Sequence, residues 1–114
     1  MDTNTYHEIC AQPTSFSRYV LEETLAALTK AESSKIVLVN NVLKTKSIEK
    51  PTHHEGGKET DYFFVQMAIE DAEEIVEELG TLEAGVVSPE GHTTHQASHY
   101  ASLLDKWFNY VESL

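Results

Sequence analysis

Between residues 61 and 79 the spacing of apolar side chains changes from two to between three and four. Phe63, Val65, Met67 and Ile69 alternate with Tyr62, Phe64, Gln66 and Ala68, which sets an apolar row on one face of a strand over residues 61–70. Ala72, Ile75, Val76 and Leu79 then follow helical spacing. Asp71 is the expected N-cap, Glu74 completes a capping box, and Gly80 is the expected stop. A one-faced strand followed directly by a one-faced helix points to an α+β domain.

The flanking segments extend that frame. Val20, Leu21, Leu25 and Leu28, with Ala27 and Ala31 beside them, form a stripe that predicts a helix over 15–32, entered through Pro13-Thr14-Ser15. Ser33-Ser34 breaks the pattern. The continuous run Ile36-Val37-Leu38-Val39 reads as a buried strand that can extend through Val42 and Leu43, although four apolar residues also fit a helix. Residues 46–60 read as a long loop or hairpin tip, and Val86-Val87 as a short strand. Thr93 with Gln96 offers a capping pair for a final helix. Its inward set is Ala97, Tyr100, Ala101, Leu104, Trp107, Phe108 and Val111. The expected architecture is three helices packed on a small antiparallel β-hairpin sheet, in the order α-β-β-α-α. Residues 1–13 are expected as a flexible N-terminal segment ahead of a single domain over 14–114. The alternative is an all-α bundle in which 35–46 and 62–80 are helical.

A chain of 114 residues can bury a modest core without disulfides. Cys10 is alone, so no intrachain disulfide forms. The polar N-terminus carries no signal-peptide pattern, and the expected setting is a reducing, cytoplasmic one. No apolar run approaches the roughly 20 residues of a membrane span.

Charge is distributed unevenly. Residues 59–105 hold eleven carboxylates and neither Lys nor Arg, whereas the first 58 residues hold seven acids and seven bases. The formal charge of −11 is therefore carried by the middle and late chain. Direct nucleic-acid binding needs bases to displace condensed counterions, and an anionic membrane surface needs them too, so both are expected to be absent. Glu70, Asp71, Glu73, Glu74, Glu77 and Glu78 cluster on or just before the second helix, with Glu83 beyond them. Like charges four apart on a helix cost about 0.2–0.5 kcal/mol each. Such a face serves solubility, or it docks on a basic protein through steering that salt screens. The expected partner-binding set is Glu70, Glu73, Glu74, Glu77, Glu78 and Glu83. The expected function is a non-enzymatic acidic binding protein that inhibits or masks a basic partner, by the logic of immunity, anti-defence and DNA-mimic proteins. An exposed hairpin edge also makes a homodimer an expectation.

Histidines supply a second reading. His92, His95 and His99 are spaced three and four apart, on the face opposite Trp107 and Phe108. An i, i+4 pair on a helix can place two imidazoles on zinc or another imidazole-preferring divalent metal, with Glu90 or the 53–55 loop completing the shell. The bland counterpart is an exposed polar face that binds nothing. Protonation of the row would also weaken the acidic field as pH falls.

A small enzyme is the third reading, with His53, His54 and Glu55 as its loop site. Glu49-x-x-x-His53-His54, followed by Tyr62, resembles part of the pterin carbinolamine dehydratase signature over about fourteen residues. The resemblance implies acid/base dehydration of a pterin by these histidines. Glu55 stands where that signature has Pro or a small residue, and Ala72 where it has His or Trp. Gly56-Gly57-Lys58 lacks the phosphate-loop spacing. Cys10 with His7 has the composition of a nucleophile–base pair, while a small buried thiol is the inert alternative.

Overall fold

The computed structural model describes residues 3–51, 57, 60–86 and 95–114. Its elements are α1 (Thr3–Cys10), β1 (Ser15–Ser17), α2 (Arg18–Lys30), α3 (Ile36–Leu43), β2 (Tyr62–Phe64), α4 (Ile69–Gly85) and α5 (His95–Glu112). The α+β class holds, as does the two-stranded antiparallel sheet. The strand that pairs with β2 is a different one from that expected. Ser15 lies opposite Phe64, Phe16 opposite Phe63 and Ser17 opposite Tyr62.

β1 occupies what reads in sequence as the first turn of a helix. Phe16 is fully buried, and its backbone is drawn into pairing with β2. The helix then starts at Arg18, where the Ser17 hydroxyl accepts from the Val20 N–H at 3.2 Å. Its far end closes in a Schellman arrangement. Ser33 N–H donates to Leu28 C=O and Glu32 N–H to Thr29 C=O, with Glu32 left-handed at φ 56°.

Residues 36–43 are helical and correct the strand expected there. The apolar run conceals a helical set in which Val39 and Val42 are buried and Ile36 and Leu43 half-buried, while Val37 is 62% exposed. The Ser33 hydroxyl accepts from the Lys35 N–H at 3.0 Å, which turns the chain into α3. Within the N-terminal stretch, Thr3–Cys10 is helical. α1 buries Tyr6, and the Ser15 hydroxyl donates to Ile9 C=O at 2.5 Å, tying α1 to β1.

Alternation after β2 persists in burial, with Phe63 and Val65 buried and Phe64 and Gln66 exposed. Ladder pairing ends at Phe64, and Ile69, 40% exposed, opens α4. Ala68, not Asp71, is the N-cap, and it makes no side-chain cap bond. Gly80 does not stop the helix, which runs on to Gly85. A Cβ at Gly80 would lie 3.4 Å from Leu104 Cδ1, a measure of how closely α4 and α5 approach. Val86 is the C-cap of α4, while Val87 and Thr93 lie outside the described residues.

Trp107 anchors the core. Its ring centroid lies 4.5 Å from Phe16 and 6.1 Å from Tyr110. Its Nε1–H donates to Thr24 Oγ1 at 2.9 Å, and Thr24 Oγ1–H donates to Val20 C=O at 2.7 Å. Both residues are fully buried, so the indole N–H has found the partner that burial demands. Tyr110 Oη accepts from Met67 N–H at 2.9 Å and donates to Met67 C=O at 3.2 Å. That pair latches α5 to the extended segment leading into α4.

Candidate functional site

α4 forms because its apolar residues recur on one face against α5 and the core. Ala72, Ile75 and Leu79 are buried, which turns the intervening acids outward. Glu70 and Asp71 lie in the first turn, where the helix dipole favours negative charge. The residues of the expected docking set differ in exposure. Glu70, Glu73, Glu74 and Glu77 are exposed, while Glu78 and Glu83 are half-buried. The Oε2 of Glu78 is buried with no hydrogen-bond partner among the described residues.

One flank of the acidic helix is neutralised from outside the acidic stretch. Lys35, at the start of α3, places Nζ 2.8 Å from Asp71 Oδ1 and 3.4 Å from Glu74 Oε2. Its ammonium is held above its ordinary pKa chiefly by the hydrogen bond to Asp71. Among the described residues, Glu70, Glu73 and Glu77 have no such ion pair. Asp61, the acid nearest β2, is also taken up internally. Lys50 Nζ lies 2.6 Å from Oδ1 and Arg18 Nη2 3.2 Å from Oδ2, and the Arg18 guanidinium stands over the Phe63 ring. Lys106, the one base in the last nine residues, is engaged elsewhere, with Nζ 4.7 Å from the Phe16 ring centre and 3.4 Å from Pro13 C=O.

Phe108 and Glu112 of α5 sit beside this face. Phe108, placed inward by its spacing, is 47% exposed, because Tyr100, Leu103, Trp107 and Tyr110 already fill the core side. Glu112, outside the acidic stretch, joins the acids of α4 around it. Sequence reasoning missed both residues. A cue was present in the spacing, since Phe108 and Glu112 are four apart on the helix.

Two of the three histidines of the row fall among the described residues. His92 lies outside the described residues. His95 is exposed and His99 half-buried at the seam between α5 and α2, not opposite the core stripe. His99 Nε2 lies 3.6 Å from Glu23 Oε2, and both histidines line a cavity of about 490 Å³ with Glu23 and Lys30. Among the described residues no three His, Cys, Asp or Glu side chains come together as a metal cage.

His53, His54 and Glu55 lie outside the described residues, so the loop site of the enzyme reading does too. Tyr62 shares a cavity of about 480 Å³ with Tyr6, His7, Cys10 and Thr60. Burial pushes the Cys10 thiol up, with the Tyr6 hydrogen bond opposing part of that effect. A thiol held protonated is a poor nucleophile, and the Cys10–His7 reading gains no support. Burial first, then the contact with Cys10, pushes the Tyr6 hydroxyl up to about 12. No helix of the described residues is long and apolar enough to cross a membrane. Compared with known proteins, the chain matches no family, no curated protein and no solved structure.

Proposed function

We propose that the protein is a non-enzymatic binding protein whose outer α4 face docks on a basic protein partner and masks or inhibits it. The observation that carries this reading is the row Glu70, Glu73 and Glu77, exposed and without an ion pair among the described residues. Helical spacing places these acids together, so their mutual repulsion weakens the helix slightly while their charges build a shared field. Lys35 relieves one flank only. The test is capture from the native cell with the untagged chain as bait, followed by elution in rising salt. A basic protein bound stoichiometrically is expected. The quadruple variant Glu70→Gln, Glu73→Gln, Glu74→Gln, Glu77→Gln is expected to lose it or release it at much lower salt. Unchanged capture by that variant would sink the reading.

A second reading keeps the histidines. His95 and His99 line one cavity, two imidazoles of the kind zinc accepts, although with Glu23 they do not converge as a three-ligand cage among the described residues. Stoichiometric zinc in the untagged protein, lost in His95→Ala with His99→Ala, would carry it. Metal content unaffected by that double change would remove it.

A further inference from the structure

The acidic face borders an apolar groove. Val76 of α4 and Phe108 and Val111 of α5 line a cavity of about 320 Å³ along the seam of the two helices. Glu73 and Glu77 stand on one side and Glu112 on the other. Among the described residues no basic side chain lines the groove. Phe108 is nearly half exposed there, among the larger exposed apolar side chains of the described residues.

An aromatic ring left open to water is ordinary when it stands alone. Here it lies between two half-buried valines, and carboxylates of both helices rim the same slot. A slot between packed helices with an apolar floor and charged rim is the geometry that accepts an amphipathic helix. The sign of the rim selects the helix. An acidic or polar segment would leave the carboxylates facing like charge or unpaired. A segment with Lys or Arg on either side of an apolar row satisfies rim and floor together.

We infer that the groove between α4 and α5 binds a basic amphipathic helix of the partner, with an apolar side chain against Phe108 and Lys or Arg against Glu73, Glu77 and Glu112. This rests on the acidic docking reading above and adds the chemistry of what docks. Charge gives that reading its salt sensitivity, whereas the groove gives it a preference between equally basic segments.

Two synthetic helices test it. One is rich in Lys with Leu at alternating third and fourth positions, and the other carries Gln in place of every Leu. Binding of each to the full chain is followed by fluorescence anisotropy at two salt concentrations. The Leu helix is expected to bind about tenfold more tightly than the Gln helix, the effect of burying one or two apolar side chains. Phe108→Ser should erase that preference while leaving the weaker, salt-sensitive binding of the Gln helix. Phe108→Leu, which keeps an apolar side chain, should retain most of it. Glu73→Gln with Glu77→Gln and Glu112→Gln should weaken both helices and flatten their salt dependence. Equal binding of the two helices, or a preference that survives Phe108→Ser, overturns the groove while the acidic docking reading stands. Failure of both helices to bind in a salt-sensitive way overturns both.

Discussion

Replacing Thr24 with Val tests whether the Trp107 hydrogen bond holds α2 and α5 together. The two side chains are nearly the same size, so the change leaves no cavity, and Thr24 and Trp107 are both fully buried. What is removed is the oxygen that accepts from Trp107 Nε1–H at 2.9 Å. The indole N–H is then left without a partner in a site closed to water. Such a group costs about 1–3 kcal/mol, and the added methyl recovers a small part. We expect a net loss of about 1–2 kcal/mol, and a fall in Tm of about 4–8 °C for a domain of this size. Urea unfolding followed by circular dichroism, with unchanged m-value, gives the number directly. The cycle is closed with Trp107→Phe, which takes away the donor. In that background Thr24→Val should cost little, because no N–H remains to be orphaned. An equal penalty in both backgrounds, or no penalty in the parent, would refute the argument.

Two further perturbations follow from the same structure. Asp61 is held below the ordinary carboxylate range by Lys50 first and then Arg18, against the opposing effect of burial. Its stabilisation is therefore present above the unfolded pKa of about 4 and is lost as pH falls through the lower folded value. Asp61→Asn should lower the urea midpoint at pH 7 and flatten its decline in acid, and an unaltered acid limb would count against the ion pairs. Gly80 sits inside α4 where a Cβ meets Leu104 Cδ1 at ordinary contact distance. Gly80→Ala should stabilise the fold by about 0.5–1 kcal/mol, whereas Gly80→Leu should destabilise it by forcing the helices apart, both readable by thermal melts.

The elements that sequence disclosed were those with a sustained period. α5 and the buried face of α4 follow helical spacing over three turns or more, and Phe63 and Val65 keep the alternation of a strand. β1 was not legible because a three-residue strand with one apolar side chain has no period; its pairing with β2, far along the chain, makes it a strand. α3 was ambiguous because an unbroken apolar run fits either period, and the Ser33 hydroxyl, accepting from the Lys35 N–H, turns the chain into the helix. The acids of the candidate surface could be named from sequence. Their division could not, since Lys35 reaches Asp71 and Glu74 across the fold and Phe108 is displaced outward by its own neighbours in the core. Contacts of that range depend on topology, which no local pattern encodes.

The most direct test of the account is a titration of the isotope-labelled protein with the basic partner recovered by capture, followed residue by residue by NMR. Amide and side-chain shifts are predicted to move along residues 70–77 of α4 and 108–112 of α5, and to revert when salt is raised. Shifts confined to the His95/His99 cavity or to the sheet, with α4 and Phe108 unmoved, would contradict the acidic docking face.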